Sequence, residues 1–299
     1  MNAKAMLLGL VTILIWGSTF AGIRASLHGG YTAGHLVLVR YLIASAVFFV
    51  LALWPGIRFR LPCKEEFVKI CLLGWVGISL YHMGVTFGEI TVSAGTAGML
   101  IGSAPIFTAL IAVLFLKEHP GLFGWLGLGI GFIGIVLITL GTSGDSFAIS
   151  TGAWLVLMAA VATSIFFVFQ KPLFARYRPL ELTAYFTWAG TLPFLIFTPG
   201  VWDSVAGATL EANLSALYVG IFPAGVAYVT WATALSLGSA SSVTSLMYLE
   251  PFVAILVAWV WLQEWPSTLS LVGGGIAILG VVVINGFAKK QQVLLRKTA

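Results

Sequence analysis

Long apolar runs separated by short polar punctuation set the pattern of this chain. A membrane-spanning helix needs about 20 mostly apolar residues. Ten runs meet that length, at 5–27, 35–55, 67–89, 93–116, 121–141, 151–171, 181–199, 212–235, 239–262 and 267–287. None of the connections is long enough to hold a soluble domain. The first run continues through Leu27, beyond the roughly 7–15 residues of a signal-peptide core, so it reads as an uncleaved first span. The predicted fold is therefore an all-α polytopic membrane protein with ten transmembrane helices.

Two of the runs are editions of one another. Ser93–Pro120 reads SAGTAGMLIGSAPIFTALIAVLFLKEHP, and Ser239–Pro266 reads SASSVTSLMYLEPFVAILVAWVWLQEWP. An offset of 146 superimposes Pro105 on Pro251, Leu116 on Leu262, Glu118 on Glu264 and Pro120 on Pro266. The same offset brings Ser18 onto Ser164, Phe20 onto Phe166, Gly74 onto Gly220 and Gly134 onto Gly280. Five spans per half is an odd number, so the second half must run inverted relative to the first, a plan found in many secondary transporters. We expect a first five-helix repeat over 1–146, an inverted second repeat over 147–288 and a basic cytoplasmic tail over 289–299. The conspicuous charge difference between the copies is Glu250, which faces Ala104 in the alignment.

Composition agrees with the pattern. Charged residues are 8% of the chain and hydrophobic residues 60%, with mean hydropathy +1.04, against about 25% charged in a soluble domain. The net charge of +5 follows from loop placement. With a cytoplasmic N-terminus, the inner segments hold Lys4, Arg58, Arg60, Lys64, Lys69, Lys117, Lys171, Arg176, Arg178, Lys289, Lys290, Arg296 and Lys297, and the outer loops hold no Lys or Arg. That asymmetry predicts both termini inside and removes nucleic acid as a partner. Cys63 and Cys71 match no metal or disulfide spacing; no metal or cofactor is expected.

The combination of motifs resembles the drug/metabolite transporter superfamily, EamA type. The residues that carry the resemblance are Trp16-Gly17-Ser18-Thr19-Phe20, Arg40, Pro105 with Leu116-Lys117-Glu118, Leu249-Glu250-Pro251 and Leu262-Gln263-Glu264. It extends to about Gly286 and includes bacterial aromatic amino-acid exporters. It implies a multi-pass protein of the bacterial inner membrane that exports amino acids, with neutral or aromatic side chains, or similar small metabolites by alternating access. A drug or other metabolite is the alternative cargo.

Glu250 lies midway along the ninth run. A charge at that depth costs roughly 2.5–3.5 kcal/mol on insertion scales, so the residue serves either a substrate amine or proton, or a structural tie to a neighbouring span. Pro105 and Pro251 each free a backbone carbonyl at mid-membrane, as paired gating kinks or as inherited bends. His82 either relays protons or bonds a neighbouring helix. Arg40 either binds a substrate carboxylate or joins Arg24 and Glu89 in a structural ion pair. Trp16, Tyr81, Trp188, Tyr228, Trp231 and Tyr248 are deep aromatic residues with polar handles. With Ser18, Ser164, Thr230, Ser242 and Ser245 they suit either the wall of an amphipathic pathway or ordinary interhelix packing.

The glycines of the fifth and tenth spans suit close helix packing or a dimer surface, so monomer and homodimer both stay open. Glu118 and Glu264 precede proline-started helices and read as helix-terminal charges. A membrane-embedded enzyme acting on a lipid or prenyl substrate would need an acid/base or metal constellation, and the midplane offers one Glu and one His. The expected partners are a small-molecule substrate and the lipid bilayer.

Overall fold

The computed structural model describes residues 3–57, 59–116, 121–142, 150–237 and 245–298, and every regular element among them is helical. The first two spans are α1 (Ala3–His28) and α2 (Ala33–Leu53). The third is α3 (Lys64–Gly74), a π-helical turn (Trp75–Leu80) and α4 (Tyr81–Gly88). The fourth divides into α5 (Ala94–Gly102) and α6 (Ala104–Leu116), and the fifth is α7 (Gly121–Leu140). The sixth, α8 (Thr151–Gln170), ends in a 3-10 turn, Lys171–Ala175. The seventh, α9 (Pro179–Thr191), passes into a 3-10 turn (Leu192–Phe197) where Pro193 supplies no N–H. A short helix, α10 (Val201–Gly207), occupies a segment whose sequence reads as loop. The eighth span is α11 (Leu210–Ile221), a π-helical turn (Phe222–Val226) and α12 (Ala227–Leu237). A 3-10 turn (Ser245–Leu249), α13 (Glu250–Leu262) and α14 (Thr268–Thr298) follow.

Eight of the expected spans are long and apolar enough to cross a membrane, and the last two correspond to shorter apolar helices, Leu246–Leu262 and Thr268–Val283. Residues 117–120, with Glu118, and 238–244, with Ser242, lie outside the described residues. Beyond the predicted end of the tenth span, α14 continues to Thr298, because Ala288 to Lys297 is built of good helix formers with no Gly or Pro.

Local chemistry fixes the helix starts. Thr32, Ser150 and Thr209 accept the backbone N–H groups of His35, Ala153 and Ala212 at 3.2, 3.1 and 3.2 Å. Glu181, 2% exposed, accepts the N–H of Arg178 at 2.7 Å and that of Arg60 at 3.0 Å. It therefore caps α9 and pins the segment before α3.

The packing repeats the sequence offset. α1 packs on α13 and on the eighth span, as α8 packs on α5, α6 and the third span. α2 packs on α11, as α9 packs on α3. Single residues repeat it too. A Cβ at Gly74 would lie 2.8 Å from the Phe186 carbonyl oxygen and 3.1 Å from the Ala189 Cβ; one at Gly220 would lie 3.1 Å from the Arg40 carbonyl oxygen and 2.8 Å from the Ile43 Cβ. Adding 146 to 40, 43 and 74 gives 186, 189 and 220. Ser45 and Thr191, also 146 apart, hydrogen-bond each other at 2.9 Å. The π-helical turns of the third and eighth spans obey the offset as well.

α7 and α14 make the closest helix pair. A Cβ at Gly134 would lie 2.7 Å from the Gly273 carbonyl oxygen, and one at Gly280 would lie 2.7 Å from that of Gly127. These glycines serve a seam within the chain, and Gly129 and Gly275 have open space around them. Gly134→Ala or Gly280→Ala should overpack the seam and cost about 1–3 kcal/mol, a lowered melting temperature in detergent. Gly129→Ala and Gly275→Ala should leave it unchanged or slightly raised.

Candidate functional site

The site lies where the helices break. In the fourth span α5 ends at Gly102, and Ser103 directs both its N–H and its hydroxyl to the Leu100 carbonyl, at 3.2 and 2.5 Å. A new helix then starts at Ala104-Pro105. In the ninth span the 3-10 turn gives way to α13 at Glu250-Pro251. Both prolines thus occupy the first turn of a helix, where the missing N–H would have no intrahelical partner anyway, rather than the interior of a continuous one. Pro251 packs against Gly102, so the two breaks touch. Glu250 stands in the first turn of α13, at the positive end of the helix dipole.

Around these breaks the structure gathers Trp16, Arg40, Tyr81, His82, Tyr228, Trp231 and Glu250. Trp16 stacks edge-on to Tyr228 with ring centroids 5.5 Å apart and lies 5.3 Å from Trp231. Its indole N–H donates to the Pro223 carbonyl at 3.2 Å, inside the π-helical turn of the eighth span. His82 packs against Tyr81 and Tyr41, with centroids 4.4 and 4.8 Å away. The Arg40 guanidinium lies 5.6 Å from the Tyr41 ring centroid. Tyr81 lies in electrostatic range of Glu250, Tyr228, Arg40 and Glu89, and Tyr228 in range of Arg40 and Glu250. His82 and Tyr228 are 146 apart, so the two halves present them from equivalent positions. Arg40 and His82 are 2% and 6% exposed; Arg40 Nε and Nη1 and both His82 ring nitrogens lack a hydrogen-bond partner among the described residues. Trp16, Tyr81, Tyr228, Trp231 and Glu250 are half-buried.

Other predicted residues serve the framework. Ser164 is fully buried, with its hydroxyl on the Ala104 carbonyl at 2.8 Å and the Ala160 carbonyl at 2.7 Å, tying the sixth span to the break in the fourth. Ser18 bonds the Ile15 carbonyl at 2.8 Å and the Tyr218 hydroxyl at 2.6 Å. Trp188 donates to the Ser45 carbonyl at 3.1 Å and belongs to a separate group with Phe59 and Tyr185. Tyr248 packs half-buried against the main apolar core, and the Ser245 side chain lies outside what is described. Tyr41, 1% exposed, joins the central group without having been singled out in the sequence; its adjacency to Arg40 was the available signal.

Arg24 does not bond the Glu89 carboxylate. It pairs with Glu264 at 2.9 Å, and its Nη1 donates to the Glu89 carbonyl and, at 3.0 Å, the Ile90 carbonyl. The last carbonyls of a helix have no internal donor, and an arginine reaching them satisfies two at once. The second oxygen of Glu264 accepts the Ala94 N–H at 3.1 Å, so this carboxylate caps α5 in the other half of the chain, not its own α14. A cleft of ≈510 Å³ opens beside this tie, lined by Arg24, His28, Tyr31, His35, Phe87 and Phe197 among others. Glu264→Ala should cost about 0.5–2 kcal/mol through the lost cap, read as a lower melting temperature that Glu264→Gln partly restores.

The sequence pattern of the EamA-like transporter family matches this chain twice, over residues 3–140 and 150–286. A Bacillus subtilis (strain 168) protein described as the uncharacterized transporter YdfC is 38% identical over 94% of this chain and 90% of its own length. A Streptantibioticus cattleyicolor protein described as a probable terminal-alkyne amino-acid exporter is 38% identical over 95% of this chain and 94% of its own. One solved crystal structure matches with a TM-score of 0.66 over 97% of this chain and 99% of that one, at 21% identity, a likeness in fold alone.

Proposed function

Since this chain belongs to the EamA-like transporter family, we propose that it exports amino acids with neutral or aromatic side chains, or close relatives of them, across the bacterial inner membrane. It is a multi-pass membrane transporter and not an enzyme. In this reading residues 1–146 and 147–288 form two inverted five-span halves, both termini are cytoplasmic, and the halves rock about the breaks at Pro105 and Pro251 to expose the centre to each side in turn.

The observation that carries the reading is that Arg40 and Glu250, of opposite charge, share the same aromatic neighbours. Arg40 and Glu250 both lie in electrostatic range of the same two tyrosines, Tyr81 and Tyr228. An amino acid is a zwitterion. A guanidinium with free donors suits its carboxylate, and a carboxylate in a low-dielectric site suits its ammonium. The Trp16, Tyr228 and Trp231 rings suit an apolar or aromatic side chain. One relative being described as an amino-acid exporter supports the same class of cargo.

Purified protein in liposomes should exchange labelled amino acid for unlabelled amino acid in a saturable way; flux that never saturates, or none with any of the twenty, would contradict the reading. Glu250→Gln should raise the half-saturation concentration at least tenfold, the equivalent of losing about 1.4 kcal/mol, and should spare ligands lacking an ammonium group. Trp16→Ala should shift preference away from aromatic cargo while the protein still reaches the membrane; Trp16→Phe, which keeps the ring contacts, should preserve the preference.

A further inference from the structure

The Glu89 carboxylate is unexplained by packing. Glu89 occupies the position just after α4 with 0% exposure, and neither carboxylate oxygen has a hydrogen-bond partner among the described residues. A buried carboxylate without partners is expensive, so such a group is retained for an interaction made in another arrangement of the chain. The groups near it are the guanidinium of Arg24 from α1, that of Arg40 from α2, and the carboxylate of Glu264 from the turn after α13, with Tyr81 also within electrostatic range. The helix packed against it on the remaining side, α8, contains no titratable residue.

Arg24 is already at hand. It donates to the backbone carbonyl of Glu89 itself and spends its ion pair on Glu264. That pair draws together α1, the end of α4 and the turn after α13, and the other Glu264 oxygen adds the start of α5. On the proposed orientation this tie closes the outer end of the bundle, and Pro266 completes it by packing on Gly95, where an added Cβ would lie 3.0 Å from the proline ring. For the outer end to open, the turn carrying Glu264 must leave α1 and α5. Arg24 would then lose its carboxylate while held at the backbone carbonyl of the residue that carries a second one, which has no hydrogen-bond partner among the described residues.

We propose that Arg24 changes partner from Glu264 to Glu89 when the outer end opens, and that Glu89 is a positioning residue whose function is to stabilise the outward-open state. The inference rests on the transporter reading above. One ion pair breaks as another forms, so neither state leaves Arg24 unpaired in a low-dielectric setting. That gives the two states comparable energies, which alternating access requires.

The test uses full-length protein carrying Cys63→Ser and Cys71→Ser and a reporter, Ala97→Cys, at a position with 0% exposure behind the tie. The rate of its reaction with a membrane-impermeant maleimide from outside reads outward opening. Glu264→Gln should raise the rate roughly tenfold, within the range usual for coupled equilibria. Adding Glu89→Gln should bring it back toward the starting value, because the open state has lost its seat for Arg24. If Glu89 served only to hold the closed cluster together, the second substitution would raise the rate further, and that outcome overturns the proposal. So does a Glu264→Gln rate equal to the parent's. Should the double variant not reach the membrane, Glu89→Asp in the Glu264→Gln background decides: an intermediate rate supports the exchange of partners, an unchanged one defeats it. Amino-acid exchange by the parent protein in liposomes reports separately on the transporter reading, so the two failures are distinguishable.

Discussion

Hydrocarbon offers no hydrogen bonds, so every irregular piece of backbone in a membrane bundle must find its partner within the protein. This chain breaks its helices repeatedly and answers with side-chain donors from neighbouring helices. Trp16 bonds the Pro223 carbonyl, Ser164 the Ala104 carbonyl, Trp75 the Ala189 carbonyl and Ser79 the Gly190 carbonyl. Ser270 does the same for Ile138 across the seam of α7 and α14. These bonds do two jobs: they make the breaks tolerable, and they lock one helix to the next. The functional geometry is thus a by-product of how backbone irregularity is satisfied. Trp188 braces a carbonyl apart from the centre, whereas Trp16 braces one while standing in the group around Arg40 and Glu250.

Much of the architecture was legible because it depends on properties that survive in one dimension. Spans follow from apolar length, and the duplication from an offset that holds at Gly74 and Gly220, at Gly134 and Gly280, and at the proline pairs. The reciprocal contacts of those glycines in three dimensions are what that offset leads one to expect. What escaped was anything decided by the rotation of one helix against another. Of the π-helical turns, which occur at equivalent places in both halves, that of the eighth span carries Pro223 and Gly225, whereas that of the third carries only Gly77 to set it apart from ordinary helix. Whether Ser164 met a pathway or a carbonyl depended on which face of α8 met α6. Glu264 looked like the charge at the start of its own next helix, yet its oxygens go to Arg24 and Ala94. Glu89, read as a partner for Arg24, gives that residue its backbone carbonyl and keeps its carboxylate apart. At Pro105 and Pro251 the helices restart, an arrangement that needs the preceding turn to be seen.

The seam between α7 and α14 has the reciprocity of a two-fold dimer interface, in which each contact occurs twice with the partners exchanged. Here both partners belong to one polypeptide. A true homodimer could place a carboxylate at the centre only by placing two, and two like charges sharing a site cannot both ionise. Joining the halves covalently removes that obligation. One copy can keep Ala104 while the other gains Glu250, so the centre acquires a sense of direction, a carboxylate from one half and none at the equivalent position of the other, that no assembly of identical subunits about the same axis could possess.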